Sequence, residues 1–108
     1  MIARLWSART IESRSRQYLQ HYESSVVPEL HKLPGYIGST VLTRTTSSET
    51  EIVVTTIWRS LDAIREFAGP DLEMAVVTDE AAALLASYDH RVRHFEVALA
   101  DGAPPAIP

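Results

Sequence analysis

Two histidines stand four residues apart near the C-terminal end of the chain, in the stretch DHRVRHFEV that runs from residue 89 to residue 97. On a helix, His90 and His94 would share one face, as a pair of metal ligands does. On a strand, which rises about 3.3 Å per residue, the same side chains lie about 13 Å apart. The chemistry open to them, metal binding or proton transfer, therefore depends on the element that carries them.

The residue pattern around these histidines favours a strand. HRVRHFEVALA alternates between polar and apolar residues, which is the two-residue period of a half-buried strand. His90 and His94 then cannot share one ion, and His21 and His31 fall in a predicted helix across the sheet. A zinc site needs three or four clustered ligands. The sequence therefore predicts no metal site.

Composition excludes several other classes of function. The 108 residues contain no cysteine, which removes disulfides, thiolate metal sites and cysteine nucleophiles together. A net charge of −4 without a basic cluster offers nothing to neutralise a nucleic-acid backbone. No apolar run is long enough to cross a bilayer, and the N-terminal segment is too short and charged for a signal peptide. We expect one cytoplasmic domain over residues 1–99 and a flexible tail over 100–108, with neither nucleic acid nor membrane as partner.

Six segments with strand or helix periodicity follow one another along the chain. Branched and aromatic residues predict strands at IARLWSA, YIGSTVLTR, EIVVTTIW and HRVRHFEVALA. Apolar residues at three- and four-residue steps predict a helix over 15–33, kinked near Pro28 because proline lacks an N–H. The segment LDAIREFA, capped by Ser60, predicts a second helix, and a shorter helical piece follows Thr78.

The order strand, helix, strand, strand, helix, strand is typical of one fold class. It predicts an α+β, ferredoxin-like βαββαβ fold with an antiparallel four-stranded sheet and both helices on one face. The other sheet face is bare, so it must be polar or pack against a second copy. Because Trp6 and Leu42 are assigned to that face, the sequence predicts a homodimer with sheet against sheet, a dimeric α/β barrel.

Alternation along the first and last strands also divides their side chains between the two faces. Four residues are assigned to the face that meets the partner: Arg4, Trp6, His94 and Glu96. The apolar residues between them then lie beneath the helices: Leu5, Phe95 and Val97. Arg4 and Glu96 can pair across the strands and form, with Trp6, a polar network inside the dimer barrel. His94 is either a structural hydrogen-bonding group or a catalytic base that removes a phenolic proton.

Several of these segments together resemble one known family. MIARLW, LPGYIGSTVLTR, TTIWRSLDAIREFAG and HFEV are similar to the antibiotic biosynthesis monooxygenase family. The most specific part is Trp58 at the end of the third strand, followed by Ser60, Ala63 and Phe67. The resemblance implies a dimeric α/β barrel with a small apolar cleft between sheet and helices in each subunit. It also implies oxidation of polycyclic quinone precursors by molecular oxygen, with no metal or organic cofactor.

A second branch of that family degrades haem and differs from this sequence. That branch uses an asparagine on the first strand and a tryptophan and a histidine around the second helix. Here the first strand has no asparagine, and Phe67 and Val77 stand roughly where the other two would be. The resemblance therefore argues against haem degradation, and the oxidation is a family-level expectation, because a fold alone does not establish chemistry.

Four residues near the predicted helices are candidates for binding a substrate: Tyr22, Trp58, Phe67 and Met74. Side chains of this kind suit an ordinary core or a site for a small apolar or aromatic molecule. The sequence favours a cofactor-independent monooxygenase-like protein acting on a small aromatic or polyphenolic substrate. A non-catalytic binding or accessory protein of the same fold, and an isomerase or cyclase, remain as alternatives.

Overall fold

One antiparallel sheet organises the protein. A computed structural model describes residues 1–102, and its five strands are β1 (Ile2–Ile11), β2 (Tyr36–Thr46), β3 (Glu49–Trp58), β4 (Ser87–Tyr88) and β5 (Arg93–Glu96). β1 pairs with β3 on one side and with β4 and β5 on the other, and β2 pairs with β3 at the edge. The α+β, ferredoxin-like architecture predicted from the sequence is confirmed.

The helical segments pack against one face of this sheet. They are α1 (Glu12–His21), a π-helical segment (Tyr22–Val26), α2 (Val27–His31), α3 (Leu61–Ala68) and α4 (Asp79–Ala83). Buried side chains from these helices and from the strands form one core cluster, which includes Tyr18, Leu30, Ile52, Trp58, Ile64 and Ala81. Among the helices of residues 1–102, none combines the length and apolarity needed to span a bilayer.

The two predicted helix caps are present. The Ser60 hydroxyl accepts a hydrogen bond from the Ala63 N–H (3.2 Å), and the Thr78 hydroxyl accepts one from the Ala81 N–H (3.2 Å). Each bond satisfies a backbone donor that has no partner within the helix. Gly69 ends α3 with a φ of 85°, a conformation that glycine adopts without steric cost.

The predicted kink before Pro28 takes the form of a π-helical segment. The helix predicted over 15–33 is divided into α1, the segment Tyr22–Val26 and α2, with Pro28 in the first turn of α2. A proline ring inside a regular helix clashes with the carbonyl group four residues earlier. The wider π turn relieves such a clash by inserting an extra residue.

The single fourth strand predicted from the sequence is divided in two. β4 takes up the end of the segment predicted as helix, and β5 takes up only part of the predicted strand. Over residues 90–92 the backbone pairs with residues 73–75 instead of β1: the Ala75 N–H donates to the His90 carbonyl (2.9 Å), and the Val92 N–H donates to the Glu73 carbonyl (2.8 Å). This pairing ties the stretch that follows α3 to the β5 side of the sheet.

The assignment of faces along β1 is wrong and must be reversed. Ile2, Arg4 and Ala8 are buried beneath the helices, whereas Leu42 and Phe95, on the opposite face, are 50% and 49% exposed. Alternation shows that a strand has two faces, but it does not say which one is covered when both carry apolar residues. An assignment that is wrong by one residue therefore places every side chain of the strand on the wrong face.

Candidate functional site

A cleft of about 230 Å³ lies between the inner face of the sheet and the helices. β1 and β3 contribute its floor, and the helical segments and the stretch before α4 contribute its walls. Its lining is mostly apolar and aromatic, and includes Trp6, Tyr18, Tyr22, Val54, Phe67 and Val77. A cavity of about 150 Å³ holds benzene, and drug-sized ligands occupy about 300 Å³ or more. The cleft therefore suits a molecule of one or two aromatic rings.

An aromatic series forms one wall of the cleft. The ring centroids of Trp6 and Tyr18 are 6.4 Å apart, as are those of Tyr18 and Tyr22. The Trp6 indole N–H donates to the Asp89 carbonyl (2.8 Å), which fixes the ring. Burial raises the pKa of both tyrosines, that of Tyr22 to about 12, so both are neutral near pH 7. The wall is a preformed apolar surface for a flat molecule.

Arg4 supplies the charged group of the cleft. Its side chain lines the cavity, although the residue is only 4% exposed. Nη1 donates to the Leu72 carbonyl (2.6 Å), and Nη2 donates to the Met74 carbonyl (2.7 Å). The guanidinium carbon lies 5.6 Å from the centre of the Phe67 ring, within the range of a cation–π interaction. Burial lowers the pKa of Arg4 to about 10, which leaves it a cation at neutral pH.

His94 lies behind Arg4 rather than in the cleft wall. The Nη1 atom of Arg4 is 2.9 Å from Nε2 of His94, and β5 places His94 directly opposite Arg4. Because a guanidinium only donates, Nε2 must accept, and the imidazole is neutral with its proton on Nδ1. Burial and the positive charge of Arg4 both lower the pKa of His94, while Glu73 opposes the shift. As a base acting directly on a substrate, His94 would first have to release Arg4.

Two of the four predicted cleft residues line the cleft. Tyr22 and Phe67 are part of its wall. Trp58 is fully buried behind Phe67, with ring centroids 5.5 Å apart, and its indole N–H donates to the Thr56 hydroxyl (2.8 Å). Met74 contributes its carbonyl group to Arg4, while the residue is 46% exposed. Trp58 and Met74 therefore support the site from outside the cavity.

The dimer-barrel network predicted from Arg4, Trp6 and Glu96 is not formed as expected. Arg4 and Trp6 both line the helix-side cleft, on the face opposite to the one predicted. Glu96 is exposed and lies opposite Ile2, and within residues 1–102 it makes no ion pair with Arg4. The physical reason is that backbone carbonyls after α3 satisfy the buried guanidinium, so Arg4 does not need a carboxylate across the strand.

Sequence reasoning missed Tyr18 and His21 as part of the site. His21 lines the cleft with its Nδ1 atom 3.7 Å from a carboxylate oxygen of Glu80. Its Nε2 atom and the Tyr22 hydroxyl are buried without a hydrogen-bond partner among the described residues. Ser39 is close enough to Tyr22 to oppose the rise of its pKa, but the pair does not reach hydrogen-bond geometry. The spacing of residues 18, 21 and 22, which share one helix face, was the available signal.

A family model described as antibiotic biosynthesis monooxygenase matches residues 1–71. The chain belongs to this family. The resemblance seen in the sequence is thereby confirmed, and the matched range contains Arg4, Trp6, Tyr22 and Phe67 but not His94. A search of curated proteins finds no match.

Solved structures share the fold of this antibiotic biosynthesis monooxygenase domain. A Bacillus cereus structure with the same family description has a TM-score of 0.67 and 17% identity, covering 95% of this chain and 96% of that chain. The haem-degrading protein MhuD from Mycobacterium tuberculosis, with two haems bound, has a TM-score of 0.60 and 20% identity, covering 94% and 100%. SnoaB, a cofactor-independent oxygenase from Streptomyces nogalater, has a TM-score of 0.52 and 17% identity, covering 96% and 97%. At these identities the likeness extends to the fold alone.

Proposed function

We propose that this protein is a cofactor-independent monooxygenase-like enzyme that oxidises a small aromatic or polyphenolic substrate with molecular oxygen. The observation that carries the proposal is the aromatic-walled cleft of about 230 Å³ on the helix side of the sheet. Membership of the antibiotic biosynthesis monooxygenase family supports it. With no cysteine in the sequence the protein forms no disulfide, and we place it in the cytoplasm.

In such a reaction the substrate itself supplies the electrons. Loss of a proton from a methylene group activated by a phenol gives a carbanion, which transfers one electron to dioxygen. The resulting radical pair combines to form a carbon–oxygen bond, and protonation gives a hydroperoxide. Loss of the second methylene proton and cleavage of the O–O bond release water and leave a carbonyl group. The balance is R₂CH₂ + O₂ → R₂C=O + H₂O.

The contribution of the protein is to bind the substrate and to stabilise its anion. The wall formed by Trp6, Tyr18 and Tyr22 orients a flat ring and excludes water from it. Since His94 does not line the cleft, we propose that it acts through Arg4, as a neutral acceptor that holds the guanidinium in place. His94 is in this view a positioning residue rather than the base predicted from the sequence.

Haem does not fit the cleft. The volume of about 230 Å³ is only moderately larger than the ~150 Å³ that holds a single benzene ring, whereas a porphyrin joins four pyrrole rings. Among the described residues that line the cleft, His21 is the one histidine, and its Nε2 atom is buried while Nδ1 faces Glu80. The residues present therefore do not make a haem site, and no step of the proposed reaction passes through haem.

Oxygen uptake by the metal-stripped protein tests the proposed function. With phenolic substrates of one or two aromatic rings that carry an activated methylene group, we expect consumption of one O₂ per ketone formed. Added catalase should return no oxygen, because no hydrogen peroxide is released. Turnover under argon would instead indicate an isomerase or cyclase. Saturable binding without any product would indicate a binding or accessory protein.

A homodimer is the second part of the proposal, because the uncovered sheet face carries apolar side chains. Leu42 and Phe95 are 50% and 49% exposed, and Val53, next to Leu42 on β3, is half-buried. Exposed apolar patches of this kind are typical of subunit interfaces. Packing this face against the same face of a second copy would bury all three residues. Trp6 takes no part, because it lies in the cleft.

Substitution of Leu42 tests this interface. We expect Leu42→Glu to convert the dimer into monomers, because it would bury two unpaired carboxylates, one from each subunit. Sedimentation velocity at several protein concentrations measures the result. Thr43→Glu is the matched control, since Thr43 is the next residue of β2 and lies exposed on the opposite face. A Leu42→Glu protein that sediments like the wild type would contradict the proposed interface.

A further inference from the structure

Arg4 is a buried cation without a counter-ion. The residue is 4% exposed, and among residues 1–102 no carboxylate oxygen lies within 4 Å of its guanidinium nitrogens. Its neighbours are the carbonyl groups of Leu72 and Met74, the neutral imidazole of His94 and the ring of Phe67. Proteins rarely bury a charge without an opposite charge, because removing it from water is costly. The described residues therefore supply no negative charge to balance the buried guanidinium of Arg4.

The donors of Arg4 are also incompletely used. A guanidinium carries five N–H groups. Nη1 uses both of its hydrogens, for the Leu72 carbonyl and for His94, and Nη2 uses one, for the Met74 carbonyl. The Nε hydrogen and the second Nη2 hydrogen have no acceptor among the described residues. Two N–H groups on neighbouring nitrogens are the arrangement with which arginine binds a carboxylate or another ionised oxygen.

The charges around the cleft reinforce this preference for a negative ligand. Glu29 is the one carboxylate among the described lining residues, and it is exposed and paired with Lys32. The surroundings of Arg4 inside the cleft are apolar, with Trp6 and Phe67 close by. In such a medium the attraction between opposite charges is stronger than in water. The interior of the cleft is therefore suited to an anion attached to an apolar ring.

We propose that Arg4 anchors an ionised oxygen of the ligand, so that the cleft selects aromatic anions of one or two rings over neutral molecules of the same shape. The ligand class comprises phenolates, enolates and aromatic carboxylates. This inference rests on the proposed function in treating the ligand as a substrate, because Arg4 would stabilise the negative charge that appears when the substrate loses its proton. The binding preference itself can be measured without turnover.

Titration calorimetry with three naphthalene derivatives of nearly equal shape tests the preference. We expect the wild-type protein to bind 2-naphthoate about 10- to 100-fold more tightly than neutral 2-naphthamide, the range of a hydrogen bond to a charged group. Cationic 2-naphthylmethylammonium should bind most weakly. Equal affinity for the anion and the amide would overturn the proposal, and this comparison needs no variant.

A phenolate probe and two variants distinguish the effect of Arg4 on anion binding from the effect of the overall charge of the protein. We expect binding to wild-type protein to lower the pKa of 4-nitrophenol by about one unit or more, seen in its absorbance, since tenfold selectivity corresponds to one pKa unit. Arg4→Met should abolish this shift and the preference for naphthoate. Arg9→Met, which removes the same charge from an exposed position of β1, should retain both. A shift unchanged in folded Arg4→Met would overturn the proposal.

The two proposals can fail separately. A preference for naphthoate that depends on Arg4, without oxygen uptake, would support the anion site and contradict the oxidation. Oxygen uptake without any preference for anions would support the oxidation and contradict the role of Arg4.

Discussion

Replacement of His94 by alanine is expected to lower the rate of oxygen uptake about 100-fold, whereas replacement by glutamine is expected to retain most of it. Alanine removes the acceptor for Nη1 of Arg4, and a displaced anchor of about 1 Å can cost two orders of magnitude in rate. The amide oxygen of glutamine can accept the same hydrogen bond. Initial rates at substrate concentrations well below KM, which report kcat/KM, measure the effect.

The glutamine variant distinguishes the positioning role from a catalytic base. Glutamine cannot take up a proton, so a loss of rate in His94→Gln as large as in His94→Ala would show that His94 is the base. If Arg4 acts by binding the anionic substrate, the His94→Ala substitution should mainly raise the KM for anionic substrates. A rate unchanged in both folded variants would exclude any role for His94.

The pH dependence of the wild-type protein follows from the same contact. Burial and Arg4 lower the pKa of His94 below its ordinary value of about 6.5, and Glu73 opposes them. The folded state thus favours the neutral imidazole. The neutral His94 imidazole makes its full contribution to the free energy of unfolding above pH 6.5. This contribution is lost as the pH falls through the folded-state pKa of His94. Oxygen uptake should decline over the same range, because protonated His94 cannot accept from Arg4, and His94→Gln should lack this decline.

Replacement of Trp58 by alanine is expected to lower the free energy of unfolding by about 3–5 kcal/mol. Trp58 is fully buried, and its ring lies 5.5 Å from that of Phe67 and 5.4 Å from that of Tyr36. A loss of this size is a large part of the about 5–15 kcal/mol that stabilises a typical domain. Urea denaturation followed by circular dichroism measures it. Any loss of activity in Trp58→Ala would then reflect unfolding rather than a missing contact with substrate.

Trp58→Phe is the control that separates packing from binding. Phenylalanine keeps a ring behind Phe67, although it loses the hydrogen bond to Thr56 and part of the indole volume, so the protein should fold and bind 2-naphthoate within about threefold of the wild type. A folded Trp58→Phe protein that no longer binds naphthoate would mean that Trp58 reaches the ligand. Trp58→Ala with wild-type stability would contradict its place in the core.

Much of the fold was predictable because its signals are local. The caps Ser60 and Thr78 act on backbone groups three residues away, and the alternation of β2 and β3 is a property of neighbouring residues. Between these strands, Ser47 and Ser48 adopt the positive φ angles of a tight hairpin. The divided fourth strand was missed because its interruption depends on pairing with residues 73–75.

The site was predictable only in part. Tyr22 and Phe67 were identified from helix position and from the family resemblance, and both line the cleft. Trp58 has the same aromatic character but lies one layer deeper. Residue type does not distinguish a cavity wall from the core behind it, because the difference lies in a few ångströms of packing between helices and sheet.

By itself, the sequence determined the types and order of the elements, the caps and the family, since each depends on short-range patterns. Only the tertiary structure decided which face of β1 is covered and that Arg4 lies within the cleft. The carbonyl groups that accept from Arg4 belong to Leu72 and Met74, about seventy residues away in the sequence. Whether a charge can be buried depends on such distant partners, because they alone replace the water that the charge gives up.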